Sequence, residues 1–329
     1  MLQSIKEYLQ NNGIDYLCNV SMREKTWIHR GPVVPFYIIP KTSVEFELII
    51  RYLFSTNVHF KVVGYTSNIY MLESLKIEAI VTTIKLNDYI IEDDVLKCET
   101  GVCVSKMSKI CINNGFKGFE GLVDLPGTIG SAVVNNSSCF NCSLSSLLYS
   151  ATILEYNNGI IEKKQVDKEY FNFCHRNSAI KSGQKNTIIL SITLSLCKVK
   201  DISYLQEIAD INSKRRKKEQ EGPWQNLGSV YSSRKLRPFN FFSFGFLKSP
   251  LVIAYKVINR YFSKQSFVSP IKIRILFKLY DYEDIIPYVS RKNINCFIWK
   301  DQSADSMFLR YDEFMNRCYI CNREIEILK

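Results

Sequence analysis

Residues 118–136 read GFEGLVDLPGTIGSAVVNN. Pro126 and Gly127 give a turn signal, and Gly130, Ser131 and Ala132 place small side chains directly behind it. Two glycines among small residues let backbone N–H groups come close to a bulky anion, and a nucleotide pyrophosphate is the obvious candidate. Taken alone, such a run is more often a plain turn, so its neighbours decide the reading. A second segment of the same kind, Gly64-Tyr65-Thr66-Ser67-Asn68, follows directly on a β-branched stretch ending at Val63.

Working outward toward the N-terminus, residues 1–11 read as a helix ending near Asn12-Gly13, and 36–39 as a short strand. Thr42 with Glu45 three residues later has the capping-box pattern and opens a helix over 43–54, after which 59–63 reads as a strand. The first 70 residues are therefore a small α/β unit. From 77 to 196 strands dominate: EAIVTTI (78–84), DDVLKCETGV (93–102), SATILEY (150–156) and TIILSITLSL (187–196), with Asn157-Asn158-Gly159 as a hairpin turn. One helix, over 104–114, interrupts them and leads into 118–136. Strand follows strand without regular helical crossovers, so the segment 71–200 is α+β with a mainly antiparallel sheet.

A polar helix over 204–219 carries Arg215-Arg216-Lys217-Lys218 and stops before Gly222-Pro223, opening a third segment, 201–329. That segment mixes an aromatic helix candidate over 239–262, the strand pattern IKIRILFKL (271–279), a helix near 307–317 and a last strand near 324–328. No internal repeat or low-complexity tract is present.

The 329 residues are 46% hydrophobic and 23% charged, ordinary for a globular chain, which excludes wholesale disorder and allows two or three domains. The net charge of +11 favours anionic partners, but the lysines are spread along the chain and only one basic run is dense, so no nucleic-acid partner is expected. Eleven cysteines, an odd number, and the polar N-terminus MLQSIKEYLQ in place of an apolar leader fit a reducing cytoplasm. Two CxxC pairs, Cys139/Cys142 and Cys318/Cys321, would have to meet in space to make a four-thiolate zinc site, and no metal is expected from pairs so far apart in sequence. No uncharged apolar run approaches the roughly 20 residues of a membrane span. Lys248, Lys256 and Arg260 interrupt 239–262, which reads as a packed helix, with peripheral membrane contact as the lesser reading.

Five segments in order, VVGYTSN, GFEGLVDLPGTIGSAVVNN, FCHRNSAI, GPWQNLGSVY and NREIEIL, resemble the UDP-N-acetylenolpyruvoylglucosamine reductases, flavoenzymes of cell-wall precursor synthesis. The resemblance runs over about residues 25–235 and returns over 289–329. It implies an FAD-binding α+β scaffold of the vanillyl-alcohol-oxidase/PCMH type, made of subdomains 1–70 and 71–200, with a C-terminal α+β substrate domain, 201–329. By the same resemblance Gly64, Ser67 and Asn68 face the flavin pyrophosphate, and Pro126, Gly127, Thr128, Gly130 and Ser131 line the rest of a noncovalently held FAD. NADPH is the implied hydride donor, and an enolpyruvyl ether on a UDP-amino sugar the implied substrate. Arg176 matches the arginine that holds the enolpyruvyl carboxylate, with His175 beside it at the substrate. Ser229 matches the serine that protonates the enolate, and Glu324 the carboxylate near the reaction centre. The chemistry suits these residue types: a guanidinium fork grips a carboxylate better than an ammonium, and a hydroxyl can give its proton to a basic enolate in a desolvated pocket.

The chain also departs from that pattern. Where the family has three consecutive glycines, this sequence has Gly64, Tyr65 and Thr66; His175 replaces a tyrosine, Ser232 a lysine, and the third segment is longer. Three functions remain open on these residues: a reductase of the kind described, serving the wall or another surface polysaccharide; an FAD-dependent sugar oxidase or dehydrogenase on the same scaffold; and a binding protein that has lost flavin.

Overall fold

The computed structural model describes residues 2–222, 225–236, 277–278 and 280–329. The aromatic stretch 239–262 and most of 271–279 lie outside them. The chain forms two compact units, Met1–Arg215 with Ile327–Lys329, and Arg216–Glu326. The fold class is α+β.

In the first unit, α1 (Leu2–Asn11) buries Ile5 and Leu9, one turn apart on one face. Strand β1 (Asp15–Ser21) lies antiparallel to β2 (Val33–Ile39). β3 (Phe60–Val63) and β2 both pair in parallel with β5 (Ala79–Thr82), giving the order β1-β2-β5-β3. Between β2 and β3 the chain crosses through α2 (Ser43–Ser55). The Thr42 hydroxyl accepts the Glu45 amide at 3.1 Å, and the Glu45 carboxylate accepts the Lys41 amide at 2.8 Å, one residue before the position a strict capping box would use. Phe46, Ile49, Ile50 and Leu53 of α2 are fully buried, packed with Phe36, Ile38 and Val81 on one side and Leu154 and Leu190 of the second sheet on the other. Each such side chain stabilises the fold by roughly 1.5–3 kcal/mol before conformational entropy is counted.

The second sheet is antiparallel throughout, in the order β11-β10-β12-β7-β6. Its strands are β6 (Tyr89–Glu92), β7 (Val95–Glu99), β10 (Leu148–Asn157), β11 (Ile160–Asp167) and β12 (Thr187–Ser195). Asn158 and Gly159, at φ 49° and 84°, turn β10 into β11, the mirror-image turn that an Asn-Gly pair favours. Leu96, Ile153, Ile192 and Leu194 on one face of this sheet pack in a core with α3 (Val104–Asn113), α4 (Ile129–Val134) and α6 (Ile202–Glu219), the last through Leu205 and Ala209. A small hairpin, β8 (Ser138–Cys139) and β9 (Cys142–Ser143), and the short α5 (Leu144–Leu147) join α4 to β10. Strand β4 (Ile69–Met71) pairs with β15 (Glu326–Leu328), and the Leu72 amide donates to Leu328 at 2.9 Å.

In the second unit, β13 (Tyr231–Leu236) pairs antiparallel with β14 (Tyr319–Arg323). α7 (Ala304–Cys318) buries Phe308, Tyr311 and Phe314, and Phe308 stacks with Trp299 and meets Phe297 edge-on.

Three sequence readings change. β1 was not expected, because only Val20 of its seven residues is fully buried and no alternation marks it. The EAIVTTI strand belongs between β2 and β3 in the first sheet, where four consecutive buried residues suit a strand covered on both faces. The last strand divides, with Glu324 between β14 and β15.

Candidate active site

The two small-residue loops meet in the first unit. A Cβ added at Gly64 would lie 2.5 Å from Thr128 Oγ1 and 2.9 Å from its Cγ2, so only a glycine lets the loops approach this closely. Gly127, at φ 127°, sits with the Ser67 and Ser131 hydroxyls each 3.5 Å from where a Cβ would be. The Asn68 amide donates to the Asn135 side chain at 3.1 Å. At the start of α4, Thr128 and Ser131 cap each other reciprocally, and the Ile129 and Gly130 amides go to the Val102 and Thr100 carbonyls. Gly64, Ser67, Asn68, Gly127, Thr128 and Ser131 therefore form one connected surface. Gly130 lies beneath it against Thr100, and Pro126 is exposed at its edge.

The 64–68 loop keeps a glycine-type backbone without the glycines. Thr66 is buried and holds φ 55°, a region that strains a β-branched residue. Its hydroxyl accepts the Trp27 amide at 2.8 Å, a contact glycine could not offer. The Tyr65 hydroxyl neighbours the Cys103 thiol, and burial first, then that thiol, raises its pKa. No protein group among the described residues accepts from the amides of Tyr65, Thr66 or Ser67. Successive unspent amides in a turn suit an anionic group. Thr100 Oγ1 and Asn136 Oδ1 are also buried without a hydrogen-bond partner. These open donors and acceptors, beside a backbone kept bare at Gly127, fit a large polar ligand of the FAD kind, with 65–67 toward its pyrophosphate.

Arg176 and His175 sit at the tip of a tight turn closed by reciprocal amide bonds of 3.1 Å between Cys174 and Asn177. His175 is exposed and Arg176 half-buried, with φ 58°. A non-glycine residue in that region is held there by its surroundings. The Asn136 amide donates to Cys174 at 2.8 Å, the Ser178 hydroxyl to Val134 at 2.6 Å, and Lys181 Nζ to the Arg176 carbonyl at 3.2 Å. The Arg176 turn is thus docked on the far end of the small-residue run.

Ser229 and Glu324 lie in the second unit and come close to one another. The Glu324 amide donates to the Val230 carbonyl at 2.8 Å, one residue from Ser229. Before Ser229, Gly228 turns at φ 70° and donates to Asn226 Oδ1 at 2.9 Å. After it, the buried Asn295 side chain clamps Tyr231, accepting its amide at 2.9 Å and donating to its carbonyl at 2.7 Å. The Tyr231 hydroxyl donates to Asp312, which also pairs with Arg323 at 2.6 Å; burial, then Asp312, pushes the Tyr231 pKa upward.

Sequence reasoning missed Asn135, Asn136, Cys103, Asn295 and Asp312. Only the Asn135-Asn136 pair carried a signal, as the end of the small-residue run. Among the described residues no three metal-ligating side chains cluster, and no helix is long and apolar enough to cross a membrane.

The chain is similar to known proteins in both sequence and fold. Residues 34–163 match the family described as FAD binding domain. A UDP-N-acetylenolpyruvoylglucosamine reductase from Caldicellulosiruptor bescii is 28% identical over 234 residues, 71% of this chain and 72% of the relative. One from Clostridium tetani is 25% identical over 240 residues, 73% and 75% of the two chains. Among solved structures, the UDP-N-acetylenolpyruvylglucosamine reductase of Thermus caldophilus superposes with a TM-score of 0.64 at 15% identity, covering 96% of this chain and 99% of that one. The fold and these matches define an FAD-dependent oxidoreductase. Within that class, the chain resembles the UDP-N-acetylenolpyruvoylglucosamine reductases.

Proposed function

We propose that this protein reduces the enolpyruvyl ether of a UDP-amino sugar to a lactyl ether, a UDP-N-acetylmuramate-type product, in the cytoplasm, with NADPH as reductant. The observation that carries the proposal is the docking of the Arg176 turn, in its left-handed conformation, on the end of the run 118–136 whose start meets the 64–68 loop. FAD held there would supply two-electron hydride chemistry between a nicotinamide and the substrate's terminal enolpyruvyl carbon. The Tyr65–Ser67 amides and the Ser67 hydroxyl would hold the cofactor's phosphates, with Ser131 lining the rest of it.

As the hydride adds, negative charge grows on the enolpyruvyl carboxylate, and the Arg176 guanidinium stabilises it through paired N–H donors. Ser229 gives its hydroxyl proton to the adjacent carbon, completing the two-electron reduction, and Glu324 assists at the same centre. His175 hydrogen-bonds the nucleotide sugar's diphosphate. The three-part organisation, with segments 1–70 and 71–200 for FAD and 201–329 for substrate, belongs to the same proposal, as does a role in peptidoglycan or a related surface polysaccharide.

The test is anaerobic. Purified protein should absorb near about 450 nm from oxidised flavin, release FAD on acid denaturation, bleach with NADPH and recover its colour with enolpyruvyl UDP-N-acetylglucosamine. Flavin that bleaches with NADPH but is not reoxidised by that sugar refutes the proposed substrate. Colourless protein that takes up no FAD refutes the flavoenzyme reading.

A further inference from the structure

The CxxC pair at Cys139 and Cys142 has no part in the reaction above, yet its geometry is specific. The two cysteines are directly opposite one another in the β8–β9 hairpin, joined by Phe140 and Asn141 at φ 45° and 65°. Opposed residues in an antiparallel pair present side chains on the same face, with Cα atoms about 4.5–5.5 Å apart, inside the roughly 4.4–6.8 Å that a disulfide spans. Both residues are half-buried, so a small molecule can reach them.

Cys142 has further partners. Its sulfur accepts the Gly121 amide at 3.3 Å and lies 3.6 Å from Glu120 Oε2, to which its thiol donates. Glu120 is itself buried, and its carboxylate otherwise accepts only the Gly118 amide at 2.9 Å; no Lys or Arg among the described residues pairs with it. The hairpin presses directly on Gly121, where a Cβ would strike the Cys139 carbonyl oxygen. An amide that stabilises a thiolate and a buried carboxylate that can take its proton thus converge on one sulfur of a dithiol. Burial first, with the Glu120 charge adding to it and the Gly121 amide opposing it, raises the Cys142 thiol pKa, so Cys142 needs a proton acceptor before it can attack.

We propose that Cys139 and Cys142 form a dithiol–disulfide site for exchange with small-molecule disulfides of the glutathione type, with Glu120 as the base that deprotonates Cys142. The Cys139 thiolate attacks one sulfur of the incoming disulfide; that S–S bond breaks and the first thiolate leaves and takes up a proton. Glu120 then removes the Cys142 proton, and the Cys142 sulfur attacks Cys139 and expels the second thiolate. Two protein thiols are oxidised to one disulfide while one external disulfide is reduced to two thiols, and excess external thiol reverses the reaction.

The test uses the full-length protein incubated with oxidised glutathione, quenched by alkylation and mapped by peptide mass spectrometry. Cys18, Cys174 and Cys197, all exposed, serve as internal controls for nonspecific reaction. The expected product is an intramolecular Cys139–Cys142 disulfide, reversed by reduced glutathione. Cys142→Ser should instead accumulate a glutathione adduct on Cys139. Glu120→Gln removes the proton acceptor and should slow ring closure by about tenfold or more, even though losing the carboxylate charge lowers the Cys142 thiol pKa. The site is overturned if the wild-type protein keeps a lasting adduct on Cys139 without closing, or if the pair stays reduced while the exposed cysteines react. Unchanged closure in Glu120→Gln removes Glu120 from the mechanism.

Discussion

Replacing Gly64 by alanine tests whether the cofactor surface depends on the close approach of two loops. The added Cβ would meet Thr128 Oγ1 at 2.5 Å and Cγ2 at 2.9 Å, and Thr128 is fully buried, so neither loop has room to yield. Overpacking of this kind costs about 1–3 kcal/mol. Thr128→Ala removes both offending atoms and leaves only its Cβ, 3.3 Å from the new methyl, a tight but tolerable distance. Alone, Thr128→Ala loses the cap of α4 and should cost about 1–2 kcal/mol. The double variant should then be little worse than Thr128→Ala, with an interaction free energy of about 1–3 kcal/mol opposing the sum, in the range for residues in contact. Because the unspent amides of Tyr65, Thr66 and Ser67 ride on the same loop, Gly64→Ala should also weaken FAD binding by roughly tenfold for each 1.4 kcal/mol of displacement, and Thr128→Ala should recover part of that loss. Urea midpoints by circular dichroism and FAD affinity by flavin fluorescence measure both effects. Strictly additive costs in the two assays would refute the argument that Gly64 is required by Thr128.

Other expectations follow from the site and its supports. Arg176→Lys keeps the charge but loses the planar fork, and should lower kcat/KM for the enolpyruvyl sugar by about one to two powers of ten, the equivalent of roughly 1.5–3 kcal/mol; unchanged steady-state kinetics would remove Arg176 from the carboxylate. Ser229→Ala should leave reduction of the flavin by NADPH intact and slow its reoxidation by substrate by on the order of 10² to 10⁴; stopped-flow traces with equal reoxidation rates would rule out Ser229 as the proton donor. Asn295→Leu strands the buried amide and carbonyl of Tyr231 and should destabilise the second unit by about 2–4 kcal/mol, read from the urea midpoint of Trp299 fluorescence. The Lys164 ammonium, then the Tyr170 hydroxyl, hold the Glu155 carboxyl below its ordinary value of 4.5. A depressed carboxyl stabilises the fold above the unfolded-state value, and that contribution is lost as pH falls through the folded one. The urea midpoint of the first unit should therefore fall on acidification below about pH 4.5, and Glu155→Gln should flatten that slope.

What the sequence determined by itself is local. Thr42 with Glu45 starts α2, and Asn157-Asn158-Gly159 closes the β10–β11 hairpin, because a cap and a mirror-image turn are made by residues a few positions apart. The small-residue run 118–136, the loop after Val63 and the segments around Arg176, Ser229 and Glu324 were legible too, through their order along the chain.

The tertiary structure decided everything that depends on partners distant in sequence. β1 is an edge strand whose side chains are mostly exposed, so no periodicity announced it, and only pairing with β2 defines it. The EAIVTTI strand entered the first sheet because its four buried residues need cover on both faces, a demand that neighbouring residues cannot express. Thr66 can stand where a glycine conformation is required because the Trp27 amide, 39 residues away, binds its hydroxyl. The Arg176 turn reaches the small-residue run through Asn136 and Ser178, and Cys142 acquires its carboxylate from Glu120, contacts that exist only once the chain has folded back on itself. Hydrogen bonds and packing act over a few ångströms of space whatever the separation along the chain, and the sequence reveals in advance only those whose partners are also neighbours in it.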